Sequence, residues 1–319
     1  MRRHELRVNQ IASRSPEAEL TQRPIRKAVL PVAGLGTRVL PATKAIPKEM
    51  LPVFDRPAIQ YVVDEALDAG IEHIVFVTGR NKNAIEDYFD RAFELEETLR
   101  AKGKTDLLAD LARSTPPPGA ASFVRQQAPL GLGHAIWCAR DVIGAEPFAI
   151  LLPDMLTMAA PSCLSQMVAA YQQVGGNVIA VEQTDDPSLY GIIDPAARNG
   201  RLIEMRGMVE KPAAGTEPSN LFITGRYILQ PEIFALLEQQ GAGAGGEIQL
   251  TDAMARLMQS QPFHAVEYDG RSYDCGDRIG YLRAIAAFAL ADARYGGAAA
   301  AALTEALGEA AHKRPVAAE

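Results

Sequence analysis

The sequence predicts an α/β protein with one dominant mixed, mostly parallel sheet flanked by helices. Three observations lead there. Short uninterrupted apolar runs, Ala28–Val32 and Phe148–Leu152, are too brief for helices and read as strands buried on both faces. These runs alternate with segments that carry apolar residues along one helical face, the signature of βαβ units with right-handed crossovers. Finally, 319 residues with 48% hydrophobic content suffice to cover both faces of such a sheet.

The elements follow in order. Residues 1–24 are polar, lack periodicity, end in Arg23-Pro24 and are expected to form a mobile extension. Strand Ala28–Val32 comes next. In Ala58–Ala69 the residues Ile59, Val62, Val63, Ala66 and Leu67 share one helical face, and Gly70 stops the helix. Ile71–Thr78 is the second strand. A long charged helical stretch, about 83–118 and closed by Pro116-Pro117-Pro118, reads as an insertion on the basic fold. The alternation then resumes with strand Ser122–Gln126, helix Gly133–Val142, strand Phe148–Leu152, helix Ser162–Val174 and strand Asn177–Gln183. Beyond Gln183 only short strands are legible, Tyr190–Asp194, Arg201–Glu204 and Leu221–Leu229, expected to curl over one end of the sheet. A helix from about Asp277 to Arg294 closes the main domain, taken as 25–295. An alanine-rich segment within 296–319 favours a further helix, at the periphery.

Composition excludes several function classes. The net charge of −7 and pI of about 5.4 lack the basic signature of a nucleic-acid binder. The longest apolar stretch, Ala284–Ala291, is far too short to span a bilayer, so no membrane association is expected. The N-terminus has no apolar core or cleavage pattern. Cys138, Cys163 and Cys275 form neither a zinc spacing nor a disulfide framework, which points to a cytoplasmic location.

Chemistry concentrates in a few segments. Directly after the first strand stands Leu30-Pro31-Val32-Ala33-Gly34-Leu35-Gly36-Thr37-Arg38. Its glycines let the backbone approach a ligand and expose N–H groups to phosphate oxygens. It is neither a Walker A loop, which ends in Gly-Lys-Ser/Thr, nor a dinucleotide fingerprint, because Val39 stands where a small residue is needed. Arg38, Lys44 and Lys48 follow within eleven positions, in a segment whose prolines prevent a regular helix. That concentration of cations is what a triphosphate requires in a protein of net negative charge. Asp154 lies just past a strand with no polar residue, at the edge where open α/β sheets bind ligands, although an aspartate there also serves as a helix N-cap.

Taken together, these segments resemble the sugar nucleotidyltransferases. The glycine-rich turn ending in Thr37-Arg38, followed by Pro47-Lys48, resembles their signature. Arg125–Ala135 resembles their base-reading loop, Phe148–Asp154 their metal strand, Val209-Glu210-Lys211-Pro212 their sugar-phosphate segment, and Tyr273-Asp274-Cys275-Gly276 their second metal-binding turn. Five motifs in order, from about Lys27 to Tyr295, are specific where each alone is short. Pro41–Val53, the helical insertion and Gly245–Ala253 are most similar to bacterial members that use UTP and glucose 1-phosphate.

The resemblance implies a Rossmann-like nucleotidyltransferase fold and transfer of a uridylyl group from UTP to glucose 1-phosphate, giving UDP-glucose and pyrophosphate. It implies Mg²⁺ on Asp154 and Asp274, and Arg38, Lys48 and Lys211 as the catalytic cations. Ala33, Gly34, Gly36, Gln126 and Gly131 would bind the nucleotide, and Gly191, Glu210 and Lys211 the sugar phosphate. A homodimer or homotetramer is expected on the same ground. Two alternatives stand beside it: a relative using dTTP, and a non-catalytic regulator that binds UDP-sugars. Read without the resemblance, Asp274 belongs to what is equally a plain turn, and Lys211 to an exposed strand end.

Overall fold

The computed structural model describes residues 22–241 and 246–313. The extension expected over residues 1–24 lies outside them apart from Gln22–Pro24, as do Gly245 and the last residues of the C-terminal segment. The centre is a nine-stranded sheet. From one edge to the other its strands are Ala121–Arg125, His73–Thr78, Lys27–Pro31, Phe148–Leu151, Leu221–Leu229, Asn177–Gln183, Phe263–Glu267, Leu202–Glu210 and Gly191–Asn199. The first four are mutually parallel. Leu221–Leu229 and Leu202–Glu210 run against the rest.

Strand periodicity explains the two layers of core. Ala28 and Leu30 pack in one cluster and Val29 in the other; Ile74 and Phe76 oppose Val75 and Val77; Ala149 and Leu151 oppose Phe148 and Ile150. Successive side chains of a strand point to opposite faces, so a run with no polar residue must be covered on both. Helices Ala58–Asp68, Cys163–Val174 and Arg278–Ala291 cover one face. Helices Leu132–Cys138, Ile233–Glu238 and Leu250–Leu257 cover the other.

The insertion is three helices, Asn83–Phe89, Phe93–Ala101 and Thr105–Ser114, the last two with no buried residue. The second half departs from expectation. Rather than curling over the sheet as short strands, Gly191–Asn199 and Leu202–Glu210 are nine residues each and extend the same sheet to its far edge. The outer half of Gly191–Asn199 is solvent-exposed and carries Arg198 and Asn199, with Arg201 in the turn that follows, so the apolar pattern fades there before the strand does. A separate antiparallel ribbon pairs Met155–Ala159 with Gly270–Asp274. No helix among the described residues is long and apolar enough to cross a membrane.

Candidate active site

The parallel strands Lys27–Pro31 and Phe148–Leu151 end side by side, so the loops that follow them meet. The first begins with Val32, whose N–H donates to the Val77 carbonyl (2.9 Å) before the chain turns out at Ala33 and Gly34. Gly36 has φ 65°, and a Cβ there would lie 3.3 Å from both Lys48 Cβ and Thr43 Cβ. Thr43 Oγ1 donates to the Gly36 carbonyl at 2.7 Å. The glycine loop, which ends in a single helical turn at Thr37–Val39, is thereby folded against the Pro41–Pro52 segment, which has further single turns at Ala42–Lys44 and Lys48–Met50. The last turn is anchored from beneath by a buried pair, Lys82 Nζ to Glu49 Oε2 at 2.8 Å. That anchor leaves Lys48 pointing the other way, toward the second loop.

There it meets Asp154: Lys48 Nζ donates to Asp154 Oδ2 at 2.5 Å, and Arg38 Nη2 lies 3.9 Å from the same oxygen. The side chains of Lys48 and Asp154 are 17% and 18% exposed, that of Arg38 63%. Asp274 arrives on the ribbon, paired in register with Met155, and the Cys275 N–H donates to the Asp154 carbonyl at 2.7 Å. Asp274 Oδ1 accepts the Gly276 N–H at 2.7 Å. A Cβ on Gly276 would sit 2.5 Å from Arg38 Nη2 and 2.7 Å from Asp274 Oδ1, so a side chain there would displace both groups. Arg38, Lys48, Asp154 and Asp274, expected from sequence to act together, do come together.

Their electrostatics are coupled. Burial raises the Asp154 carboxyl, but the adjacent Lys48 charge and hydrogen bond outweigh it and hold the pKa below the ordinary aspartate value. Burial works to discharge Lys48, yet Asp154 and Glu49 keep its pKa raised and the ammonium protonated. Asp274 shifts the opposite way: burial first, then the negative charge of Asp154, push it up. Two carboxylates that repel each other, held on separate loops, form a set of hard oxygen donors suited to a divalent cation that takes its other ligands from phosphate and water. Among the described residues no group of three or more His, Cys, Asp or Glu side chains is placed to hold a metal alone.

The expected sugar residues gather at a neighbouring point. Gly191 faces Glu210 across the antiparallel pair, and a Cβ on it would approach Glu210 Oε2 to 3.1 Å and Ile223 Cδ1 to 3.3 Å. Thr251 Oγ1 donates to Glu210 Oε2 at 2.8 Å. Lys211 has φ 47°, its N–H donates to the Tyr190 carbonyl (3.0 Å), and its Nζ is 3.8 Å from Glu210 Oε1. Two tyrosines join this corner to the carboxylates. The Tyr227 phenol is raised by burial and then by Glu210 and Asp154, and that of Tyr190 by burial and then by Asp274.

Gln126 and Gly131 form the third corner. Gln126 Nε2 donates to the Gly131 carbonyl at 3.0 Å and lies 3.1 Å from His134 Nδ1. Burial lowers the His134 pKa, so its imidazole is neutral at pH 7. Gly131 has φ 101°, and any Cβ would come within 2.7–2.9 Å of Glu247 and Ile248. Ile248 donates to the Leu130 carbonyl (2.7 Å) and accepts from the Gly133 N–H (2.8 Å). Thr251, Ile248 and Tyr227 were not among the residues anticipated. The only sequence signal for the first two was the Gly245–Ala253 segment as a whole.

Comparison with known proteins bears on this arrangement. The nucleotidyl transferase family model matches residues 27–289. The UTP–glucose-1-phosphate uridylyltransferase of Bacillus subtilis (strain 168) is 49% identical over 270 residues, 84% of this chain and 92% of that protein. A second protein of that name, numbered 2, from Staphylococcus saprophyticus is 51% identical over 272 residues, 85% of this chain and 94% of the relative. The solved structure of UTP-bound UGPase from Acinetobacter baumannii superposes with a TM-score of 0.81 at 47% identity, covering 88% of this chain and 99% of that one.

Proposed function

Because the chain belongs to the nucleotidyl transferase family, we propose that it transfers the uridylyl group of UTP to glucose 1-phosphate, producing UDP-glucose and pyrophosphate. The observation that carries this reading is the convergence of Arg38 and Lys48 with Asp154 and Asp274, at the mouth of a glycine loop and beside the Glu210–Lys211 corner. A phosphate oxygen of the sugar phosphate is already an anion, so attack on the α-phosphorus needs no general base. The obstacle is bringing two polyanions together, and positioned cations overcome it.

In this reading the backbone of Ala33, Gly34 and Gly36 lies along the nucleotide, and Gln126 with the Gly131 turn meets the uracil edge. Arg38 and Lys48 neutralise the triphosphate and the departing pyrophosphate. Glu210 accepts from sugar hydroxyls, Gly191 leaves space for the ring, and Lys211 holds the attacking phosphate. Asp154 and Asp274 would hold Mg²⁺, which when bound supplies positive charge to the reacting phosphates. Lys48 keeps Asp154 ionised until then, and the short fixed turn at Gly276 keeps Asp274 directed into the same space.

The test is pyrophosphate release by purified protein with UTP and glucose 1-phosphate, with and without Mg²⁺, beside dTTP and galactose 1-phosphate. Mg²⁺-dependent release confined to the UTP and glucose 1-phosphate pair is expected. Faster release with another pair would transfer the mechanism to that substrate. Tight UDP-glucose binding without any release would refute catalysis.

A further inference from the structure

One buried ion pair lies directly behind the two carboxylates and takes no part in the chemistry above. Arg226 has no exposed side-chain surface and is the one charged residue of the fully buried strand Leu221–Leu229. The strand is bulged there: register with Asn177–Gln183 breaks between Ile223 and Tyr227, and Gly225 has φ 74°. A Cβ on Gly225 would press on the Leu152 side chain at 3.0 Å, and the Leu152 N–H donates to the Gly225 carbonyl at 2.9 Å. The bulge thus seats the guanidinium beneath the Leu152–Met155 turn that carries Asp154.

Every N–H direction of that guanidinium is used. Nη1 donates to the Leu152 carbonyl (3.0 Å) and the Gly225 carbonyl (3.3 Å). Nη2 donates to the Met155 carbonyl (2.7 Å) and to Glu65 Oε2 (2.9 Å), and Nε to both Glu65 oxygens at 3.1 and 3.2 Å. Of the three carbonyls it grips, those of Leu152 and Met155 lie on either side of Pro153-Asp154. Met155 is also the register partner of Asp274. Glu65, on helix Ala58–Asp68, accepts from Thr157 Oγ1 (2.9 Å) on the same ribbon and from the Leu164 N–H (3.1 Å).

We infer that Arg226, braced by Glu65, is a positioning residue that sets the relative placement of Asp154 and Asp274. One rigid planar fork indexes both the turn that carries the first carboxylate and the ribbon that carries the second. A pair buried only for stability has no need of these carbonyls; well-packed apolar residues serve as well or better. Lysine cannot replace the fork, because a single ammonium cannot span Leu152, Met155 and Glu65 in one plane. The inference rests on the reading that Asp154 and Asp274 hold a divalent cation.

Arg226→Lys retains the charge against Glu65 and so avoids an unpaired buried carboxylate. Mn²⁺ is titrated into protein saturated with UDP-glucose, the free ion is followed by EPR, and turnover and melting temperature are measured on the same samples. The expected result is Mn²⁺ binding weakened about tenfold or more, the range found when groups behind metal ligands are altered. kcat should fall at least as far, while KM for UTP changes less than about threefold. A variant that melts earlier yet binds Mn²⁺ and turns over like the parent well below its melting point would overturn the inference. Should Arg226→Lys not fold, Thr157→Val cuts only the link from Glu65 to the ribbon. A roughly threefold loss of Mn²⁺ affinity supports the inference, and unchanged affinity overturns it. If the parent protein itself binds no Mn²⁺, the metal reading fails and takes this inference with it, an outcome distinct from parent-like variants.

Discussion

Replacing Lys48 by methionine removes one charge at nearly constant volume and separates two roles of that ammonium. In the fold, Lys48 pairs with Asp154 at 2.5 Å with both side chains about a sixth exposed. Exposed pairs contribute about 0–1 kcal/mol, and removing one partner of a fully buried pair costs about 3–5 kcal/mol. A pair of intermediate burial should therefore cost about 2 kcal/mol, or about 3 °C in melting temperature for a chain of this size. In catalysis the loss is larger, because a cation aimed at developing phosphate charge contributes about 10²–10³ in turnover. The pH dependence gives an independent check. Asp154 has a lowered pKa in the parent, so its contribution is present at neutral pH and is lost as pH falls through that lowered value. Without Lys48, burial dominates and the carboxyl pKa rises above its unfolded value; the variant then regains relative stability as pH is lowered from 7 toward 5. Thermal melts at both pH values and initial-rate pyrophosphate assays at 25 °C measure all three effects. The pairing argument is refuted if the melting difference between parent and variant fails to narrow at pH 5. The catalytic argument is refuted if turnover stays within about threefold.

Asp274→Asn should change activity and stability in opposite directions. Asp274 has a raised pKa, so its ionised form is unfavourable at neutral pH; the amide removes that penalty and still accepts from Gly276. Without added metal the variant should melt at or slightly above the parent, by calorimetry, while turnover falls at least a hundredfold. Gly191→Ala places a methyl 3.1 Å from Glu210 Oε2 and should raise KM for glucose 1-phosphate about tenfold in initial-rate assays, with KM for UTP unchanged. Arg38→Gln should raise KM for UTP more than it lowers kcat, and cost less than about 1 kcal/mol of stability, because Arg38 is largely exposed and 3.9 Å from Asp154. Chemical denaturation and UTP saturation curves test it.

The part of the fold legible in the sequence was the part whose strands are buried on both faces. Lys27–Pro31, His73–Thr78, Phe148–Leu151 and Asn177–Gln183 are apolar along most of their length because helices cover both sides. Gly191–Asn199 is the edge strand, and its outer half, Pro195–Asn199, is mostly exposed and resembles a loop, whereas Leu202–Glu210 alternates buried and exposed residues and was legible only at its start because Arg206 and Gly207 interrupt the apolar pattern. Helix Leu250–Leu257 has a clear apolar face but is only eight residues long, short enough to hide between motifs. The site was legible where glycines and charges crowd together in sequence, as at Gly34–Lys48. It was illegible where the groups come from distant elements whose buried positions are mostly apolar. Glu65 and Arg226 each interrupt a buried run, and a charge in such a place signals a partner; their separation of 161 residues conceals which.

Under the proposed function, the charge arrangement is what would let a protein of net charge −7 accommodate a triphosphate. Its cations at the sheet edge stand against acids of the same site: Lys48 and Arg38 against Asp154, Lys211 against Glu210, and Lys82 against Glu49. These pairs differ in how readily they exchange partners. Arg38 is exposed and at the limit of ion-pair distance, so turning to a phosphate costs it little. Lys211, 64% exposed and 3.8 Å from its acid, is similarly free. Lys48 is neither, since leaving Asp154 would strand a carboxylate that burial already disfavours. Its release therefore requires that another positive charge reach Asp154, whereas Arg38 and Lys211 respond to phosphate alone. Lys82 and Glu49 are both almost fully buried and do not exchange, which makes them the fixed base from which Lys48 moves. Under the proposed function, this ordering would give encounter with substrate to the exposed cations and commitment to Lys48. It is the reason Arg38→Gln should act mainly through KM and Lys48→Met mainly through kcat.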